Sequence, residues 1–545
     1  MKAVIVDGYI DEPASLGVPP YISPIVRATA GLLRKTGYEV HYWTIDKVRT
    51  MQAWNSFIEE ELMIVCGGIA TPGKYLGGSP ITPSEVCRLF SSNRNQLKIL
   101  LGPITRGYTL RGGTNARSLG VPDDVIIAEN IPSLAGFLEM KHLGTTYELL
   151  NELYPLGAEV IKQHPLYPNV MVEFDVSRGC DRIDGSCSFC TENVFYGPFV
   201  SRSLSAIKKE LRELKKVGVK AIRFGRSSNI IAFGYNKSKD RPAPEAVERL
   251  LTMTQEIISP EVFHVDNANP IFIARHPIAS ERIISSIARH CSVGNSLSFG
   301  VESFDQEVRD ANNLGGTADD VVFAIDLVNR TCPDRLDGVP RLLPGLNLLY
   351  GLPGQSERSL SIDREYLKNI LESGLLVRRV NIRRVIVFES APIDKMKRST
   401  VSHRSYEHHK SLIRENFDLP MIKKVFPIGA IIRRVFPESL KGKLTFGRPL
   451  ATYPILVASP VPFETATDMV VVEHGSRSLT GLPLGSNINV LTLDALEYIP
   501  GIGRKLATAI VLRRPFRNWN DVAEKVGSDA VLALRKVKTS TGGKE

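Results

Sequence analysis

The stretch SRGCDRIDGSCSFCTENVFYGPFVSRS, residues 177–203, decides the fold of this 545-residue chain. It sets Cys180, Cys187 and Cys190 in a C-x6-C-x2-C pattern, directly after VMVEFDVSRG at 170–179, which reads as a buried strand. Three thiolates can hold three irons of a four-iron cluster and leave the fourth iron open to a small chelating ligand. Because the loop has no fourth cysteine and no histidine, this pattern favours an open cluster over structural zinc or unligated core thiols.

The segments around this loop alternate between strand and helix patterns. Downstream, about six β/α units over residues 165–395 predict a partial (β/α)6 barrel with the cysteine loop at the carboxyl edge of its strands. Upstream, short apolar runs over residues 1–140 predict a doubly wound α/β sheet. Gly67, Gly68 and Gly102 follow two of its strands, at the edge where such sheets bind ligands. The predicted fold class is therefore α/β.

The sequence pattern changes after residue 395. Residues 396–445 are rich in Lys, Arg and His and predict a basic helical linker, solvated or facing a partner in preference to binding metal. Residues 446–490 predict a small β unit, and residues 491–538 predict helices around a Gly-x-Gly hairpin.

Composition narrows the class of protein. The chain is 43% hydrophobic with a net charge of +10, and it has no run of the roughly twenty apolar residues that a membrane helix requires. We expect no membrane association. The start MKAVIVDGYID enters a strand pattern without a secretory signal, and the seven cysteines do not suggest a disulfide framework. We therefore expect a cytoplasmic protein.

The cysteine loop resembles that of the radical S-adenosylmethionine superfamily, including an aromatic residue, Phe189, before the last cysteine. It departs from the usual C-x3-C-x2-C by three extra residues. Two later segments, FGVESFDQEVRDANNLGGT at 299–317 and NLLYGLPGQSERS at 347–359, resemble later barrel elements of the same superfamily. The resemblance implies a [4Fe-4S] cluster and S-adenosylmethionine, whose one-electron cleavage gives a 5′-deoxyadenosyl radical, and therefore an electron donor.

The resemblance also implies cofactor-binding roles for individual residues. Phe189 would pack near the adenine, and the strand end containing Gly225, Arg226 and Ser227 would approach the methionyl amino group. The ribose and adenine would be bound with the help of Glu302, Ser303, Gly351 and Gly354.

Residues 7–46 resemble the cobalamin-binding domain of class B radical methyltransferases, which implies cobalamin near Gly67, Gly68 and Gly102. No Asp-x-His-x-x-Gly motif is present, so a histidine ligand to cobalt is unsupported. A doubly wound domain without cofactor is the alternative. Only Cys66 and Cys87 precede the cluster loop, which argues against the second cluster that methylthiotransferases carry.

Residues 498–516, YIPGIGRKLATAIVLRRPF, resemble a helix–hairpin–helix motif with Gly501-Ile502-Gly503 as its hairpin. Such a hairpin can hold a nucleic-acid phosphate, and basic side chains follow it, but the same charges also suit a solvated face or protein docking. These side chains are Arg504, Lys505, Arg513 and Arg514.

Together these resemblances predict a cobalamin-dependent radical S-adenosylmethionine C-methyltransferase that acts on an unactivated carbon of a protein or peptide. Archaeal relatives of such enzymes modify methyl-coenzyme M reductase, which makes that protein one candidate substrate. A radical enzyme that modifies RNA is the alternative. A non-catalytic, cluster-bearing scaffold is a third hypothesis, and the ordered barrel motifs disfavour it.

Overall fold

The computed structural model describes residues 1–12, 15–69, 77–93, 96–109, 111–140, 142 and 144–542. The N-terminal unit, residues 1–156, begins with the strands β1 (Lys2–Asp7), β2 (Tyr21–Ile22), β3 (Glu39–Thr44), β4 (Leu62–Cys66), β5 (Leu97–Leu101) and β6 (Val125–Ala128). Its helices are α1 (Pro24–Lys35), α2 (Ile45–Met51), α3 (Pro83–Ser92), α4 (Ile131–Phe137) and α5 (Thr146–Leu156). Single 3-10 turns cover Pro103–Arg106 and, after α5, Ala158–Gln163.

The N-terminal sheet is parallel in the order β3-β1-β4-β5-β6. Alternate residues of β1 are buried on opposite faces: Ala3 and Ile5 join the core under α1, and Val4 and Val6 join the core under α2 and α3. A strand covered by helices on both faces reads as a continuous apolar run, as β1 does. The predicted N-terminal parallel sheet is confirmed.

The central barrel, residues 171–384, follows. Its strands are β7 (Met171–Asp175), β8 (Ser177–Arg178), β9 (Val200–Ser201), β10 (Ala221–Arg226), β11 (Val262–Val265), β12 (Asn295–Glu302), β13 (Arg335–Leu336), β14 (Val339–Pro340), β15 (Leu342–Tyr350) and β16 (Val380–Arg384). Its helices are α6 (Glu192–Tyr196), α7 (Leu204–Val217), α8 (Pro244–Ile257), α9 (Pro270–Arg275), α10 (Pro277–His290), α11 (Gln306–Ala311), α12 (Ala318–Thr331) and α13 (Glu357–Glu372). Short 3-10 turns cover Ile230–Ala232, Lys237–Lys239 and, beyond β16, Pro392–Lys395.

The main strands of the barrel are parallel. One sheet runs β11-β10-β7-β2 and the other β12-β15-β16, and a parallel bridge between Ala268 and Phe299 joins them after β11. The resulting order, β7-β10-β11-β12-β15-β16, is that of an open barrel with its helices outside. Strand β2 pairs with β7, so the N-terminal unit supplies one edge of the barrel sheet.

A buried ion-pair network locks the N-terminal unit onto the barrel. Arg27 on α1 and Arg202 both pair with Glu210 on α7, and each of these three side chains has 0% exposure. Arg27 also donates to the backbone oxygen of Glu173 at 2.8 Å. Removing one partner would leave an uncompensated buried charge, so the network fixes the two units relative to each other.

The C-terminal module, residues 403–536, contains helices and a closed β-barrel. It consists of α14 (His403–Ile413), a π-helical turn (Arg414–Asp418), α15 (Leu419–Val425), β17 (Ile431–Lys441), β18 (Leu444–Pro449), β19 (Leu456–Ser459), β20 (Thr467–His474), β21 (Ser478–Pro483), α16 (Leu493–Glu497), α17 (Arg504–Leu512), α18 (Trp519–Val526) and α19 (Ser528–Lys536). Its strands close in the order β17-β18-β19-β21-β20, a Greek-key barrel of the OB-fold type. Side chains of β20 and of the terminal helices share one core.

The boundary between linker and β unit needs correction. Strand β17 begins at Ile431, inside the expected linker 396–445, so the β unit starts earlier than residue 446. Its sequence, IIRRVFPESLK, hides the strand because several charged residues face solvent and Arg434 adopts a positive φ of +50°. A bulged strand of this kind lacks the strict alternation that predicts a strand. No helix in the described ranges is both long and apolar enough to cross a membrane.

Candidate active site

The cysteine loop, residues 179–197, leaves and re-enters the barrel at one point. Strands β8 and β9 pair antiparallel and close its base, and Cys180 forms a parallel bridge with Pro198. Gly179, at the start of the loop, has φ +77°, and a Cβ there would lie 2.3 Å from the Pro198 oxygen. Only glycine fits such a position, so the local sequence fixes where the loop begins.

Cys180, Cys187 and Cys190 all line one cavity of about 360 Å³, the main cavity. Arg182 donates from Nη1 to the Cys187 sulfur at 2.9 Å, which brings a positive charge to the thiol group. Burial raises the pKa of Cys180 to about 12 and also raises the pKa values of the other two thiols. Metal binding must therefore displace protons from all three.

The donor set fits a cluster held by three thiolates. Among the described residues lining the main cavity, no histidine or further cysteine joins the three thiols. These three thiols are therefore the residues that would hold three irons of a [4Fe-4S] cluster.

The N-terminal unit and the barrel both contribute walls to the main cavity. Ile69 and Pro103 follow β4 and β5 of the N-terminal sheet and line the cavity together with the three cysteines. Asn347 and Asn381, on neighbouring barrel strands, line it as well and are joined by a hydrogen bond of 3.2 Å. Ser228 follows the barrel strand β10 and lines the cavity too, so the carboxyl ends of two parallel sheets open onto one space, the edge at which such sheets bind ligands.

Two of the predicted cofactor-binding residues outside the cysteines lie in the wall of this cavity. Phe189 is partly buried against an apolar cluster that includes Val385 and Phe388. Glu302, at the end of β12, has a strained φ of +62°. Burial raises its pKa to about 8, and Arg309 and Arg383 oppose the rise.

The segment Gly225–Ser227 lies behind the wall, and its neighbour Ser228 is the residue that lines the cavity. A Cβ on Gly225 would collide with Arg223 and Glu173. Arg226 pairs with Glu192 at 3.1 Å and with Glu12 at 3.7 Å, which joins the barrel, the cysteine loop and the N-terminal unit. Ser227 shares a 2.5 Å hydrogen bond with Ser177.

The other barrel residues that were predicted to bind the cofactor lie in or beside turns. Ser303 is buried and donates to the Asp363 carboxylate at 3.2 Å. Gly351 and Gly354 have φ of +92° and +82° in the turn after β15, and the Gly351 N–H donates to the Gln355 side chain at 2.8 Å. Ser303, Gly351 and Gly354 therefore lie outside the lining of the main cavity and hold the turns that support its wall.

The glycines of the N-terminal unit pack against their own chain. A Cβ on Gly67 would lie 2.9 Å from Ile104, one on Gly68 would lie 2.3 Å from the Asp11 nitrogen, and one on Gly102 would lie 2.8 Å from the Gly67 oxygen. Their small size lets the loops at this edge approach each other closely. Ile69 and Pro103, beside them, are the residues that face the main cavity.

Sequence reasoning missed residues at the opposite end of the barrel. Tyr453, from the loop between β18 and β19, lines the main cavity, and its hydroxyl donates to Asp266 at 2.8 Å. The same Asp266 accepts from Arg223, which also donates to both carboxylate oxygens of Glu173 at 2.6 Å. No local sequence motif identifies Tyr453 as a residue of the site. The charged residues in the otherwise apolar strands β7 and β10 could have indicated, from the sequence, that the barrel interior is polar.

This chain is similar to several known proteins. Residues 174–367 match the radical SAM superfamily. An uncharacterized protein of Archaeoglobus fulgidus is 35% identical over 98% of this chain and 99% of its own length, and one of Methanocaldococcus jannaschii is 36% identical over 88% and 93%. The radical S-adenosylmethionine methyltransferase TsrM of Kitasatospora setae, solved with cobalamin and a [4Fe-4S] cluster bound, aligns over 72% of this chain and 76% of its own, at 12% identity and a TM-score of 0.44.

The chain therefore belongs to one family with these two archaeal proteins, and its residues 174–367 match the radical SAM superfamily.

Proposed function

We propose that this radical SAM enzyme is a cobalamin-dependent methyltransferase that methylates an unactivated carbon. One observation carries the proposal: the carboxyl ends of the N-terminal sheet and of the barrel strands open onto the same cavity, with Ile69 and Pro103 in a wall shared with the three cysteines. A cofactor on the N-terminal sheet would thus share a space with the cluster. The resemblance of residues 7–46 to a cobalamin-binding domain supports the same assignment.

When bound, the cluster would supply the electron that cleaves S-adenosylmethionine, and cobalamin would supply the methyl group. The protein's own residues would hold the cofactors, orient them and exclude water from the cavity. Cys180, Cys187 and Cys190 would hold the cluster, and Arg182 would place charge beside one of its sulfurs. Asn347 and Asn381 offer amide donors and acceptors to a polar ligand. Ile69 and Pro103 offer an apolar surface to a corrin.

The size of the main cavity bears on the substrate. Its volume of about 360 Å³ matches the lower range of small-ligand sites and would be shared with S-adenosylmethionine. A macromolecular substrate would therefore insert one side chain and dock the rest outside. We propose a protein or peptide substrate, methyl-coenzyme M reductase being one candidate, and an external electron donor.

The contacts of the basic side chains in the terminal helices bear on nucleic-acid binding. Arg504 is paired with Glu497 at 3.1 Å, Arg514 donates to the Leu491 oxygen at 2.7 Å, and Arg513 donates to the Lys525 oxygen. Three of the four basic side chains that follow the hairpin are thus engaged within the chain, which weakens the case for phosphate binding. RNA modification remains the alternative. It would show as RNA affinity that falls steeply with salt.

The test is anaerobic reconstitution with iron, sulfide and cobalamin, followed by desalting, an absorption spectrum, reduction and an assay for 5′-deoxyadenosine. The proposal predicts both deoxyadenosine and retained cobalamin. Ile69→Glu should lose cobalamin and keep deoxyadenosine, whereas Ile58→Glu, at a position in the same unit that is 72% exposed, should keep both. Deoxyadenosine formation without cobalamin retention in the unaltered protein would refute the methyltransferase assignment.

A further inference from the structure

A second, smaller cavity lies where the central barrel meets the C-terminal module. We call it the arginine cavity. Its volume is about 60 Å³. Arg378 and Arg379, just before β16, line it from the barrel, and Arg477, in the turn between β20 and β21, lines it from the C-terminal module. Three guanidinium groups from two parts of the molecule therefore face one small space.

These arginines lack acidic partners. In the part of the chain that the structure describes, none of the three has a carboxylate oxygen within the 4.0 Å of an ion pair. Asp418 is the acid in the described wall of the cavity, and it is paired with Arg414. Positive charge therefore exceeds negative charge in this cavity.

The contacts that the arginines do make leave their charge uncompensated. Arg378 donates from Nη2 to the Tyr453 oxygen at 3.1 Å and lies 4.9 Å from the centre of the Phe426 ring. Arg379 stacks 3.9 Å from the centre of the Tyr453 ring. Carbonyl and aromatic contacts orient a guanidinium group but carry no full negative charge.

Mutual repulsion and partial desolvation make this arrangement costly for the protein alone. Desolvation, together with Arg379 and Arg477, lowers the pKa of Arg378 to about 9. Desolvation with Arg414 and Arg379 lowers the pKa of Arg477 to about 10, and the Asp418 carboxylate opposes this shift. Both groups still carry their charge at neutral pH. An anion between them would relieve the repulsion, because guanidinium forks match oxyanions.

We infer that the arginine cavity binds a tetrahedral oxyanion of the phosphate type, bridged by Arg378 and Arg379 on one side and Arg477 on the other. The volume is about four to six times the roughly 10–15 Å³ that one water molecule needs, which leaves room for a group larger than one water. Ser476 adds a hydroxyl in the wall. Because the arginines come from two units, the anion would also fasten the C-terminal module to the barrel.

The phosphate could arrive free or as part of an ester. Met421, Ile422 and Ile455 form an apolar portion of the wall, against which the organic part of an ester could pack. Both sources share the same group in the same cavity, and the experiment separates them.

The test is calorimetric titration of the full-length protein with inorganic phosphate and, separately, with adenosine 5′-monophosphate. Arg477→Gln, at an exposed turn position where folding should survive, is predicted to weaken phosphate binding by about tenfold or more, because it removes charge-assisted hydrogen bonds. Arg282→Gln is the matched control: it removes an exposed arginine, paired with Glu245 at 2.8 Å, and should leave affinity unchanged.

A second measurement is the melting temperature in millimolar phosphate, which should rise for the unaltered protein and for Arg282→Gln but rise less for Arg477→Gln. Tighter binding of the monophosphate than of phosphate would assign an ester, and the reverse would assign the free anion. Absence of binding in the unaltered protein, or equal affinity in Arg477→Gln, would overturn the inference.

Discussion

The two ends of the central barrel are built in different ways. At the cluster end, the cysteines lie in one continuous loop, residues 179–197, whose base is pinned by β8 and β9. At the opposite end, the loop between β18 and β19 enters from the C-terminal module. Its Thr452 N–H donates to His264 and its Tyr453 hydroxyl donates to Asp266, both at 2.8 Å and across 188 and 187 positions of sequence.

The two ends of the barrel therefore have different roles: one would carry out the reaction, and the other closes the barrel. The cluster end carries the groups that would perform the reaction, and a short stretch of sequence specifies them. The closed end carries groups that seal the barrel interior, and only the assembled fold brings them together. Changes at the cluster end should therefore abolish activity with little loss of stability, and changes at the closed end should do the reverse.

The largest effect on activity is expected at the cluster end. Cys187→Ala should reduce 5′-deoxyadenosine formation to background and lower the bound iron, because two thiolates cannot replace three. The melting temperature of the protein without iron should change little. Cys87→Ala, outside the main cavity on α3, is the matched control and should retain both iron and activity. Equal losses in both variants would contradict the assignment of the loop.

The largest effect on stability is expected from the ion pairs inside the barrel. Arg223→Met leaves Glu173 and Asp266 as buried carboxylates without their cation and should lower the free energy of unfolding by about 3–5 kcal/mol. Chemical denaturation measures this. Arg282→Met breaks an exposed pair and should cost under about 1 kcal/mol. A similar small loss for both would mean that the barrel interior does not depend on Arg223.

Tyr453 offers a smaller and more specific change. Tyr453→Phe keeps the ring that stacks on Arg379 and removes the hydroxyl that donates to Asp266. We expect a loss of about 1 kcal/mol in the free energy of unfolding, the usual worth of one hydrogen bond. Cluster content should be unchanged. A loss of iron in this variant would show that the two ends are coupled.

The remaining effect is a pH dependence of stability at the closed end of the barrel. Burial lowers the pKa of His264 from 6.5 to about 4, and its neutral ring accepts from the Thr452 N–H. Because the folded pKa lies below the unfolded one, this contribution to stability is complete above about pH 6.5 and is lost as pH falls toward 4. Unfolding of the unaltered protein and of His264→Gln at several pH values measures it. The same acid dependence in both would assign the effect to other groups.

The same contrast explains what the sequence could predict. The cysteine loop, the alternation of strands and helices, and the apolar run of β1 depend on neighbours in sequence, and they predicted the α/β class and the N-terminal sheet. Strand β17 was missed because its outward charges and its bulge at Arg434 break the alternation. Tyr453 was missed because its place in the main cavity depends on how the C-terminal module docks.

Within the site, the local sequence pattern predicted which strand ends lie near the main cavity better than it predicted which individual residues face the cavity. Phe189 and Glu302 line the main cavity, whereas Arg226 and Ser227, close by in sequence to Ser228, turn toward Glu192 and Ser177. A strand end can be recognised from sequence. Which of its residues faces the interior depends on the register shift between β7 and β10 after Arg223, which sequence does not reveal.

The most direct test of the account is a comparison of anaerobically reconstituted unaltered protein with Cys180→Ala, Cys187→Ala and Cys190→Ala for iron content and reductant-dependent 5′-deoxyadenosine. The account predicts a four-iron cluster and deoxyadenosine in the unaltered protein and neither in any of the three variants. An intact cluster in the unaltered protein that yields no deoxyadenosine, or a variant that retains full activity, would contradict the claim that this loop is the catalytic end of the barrel.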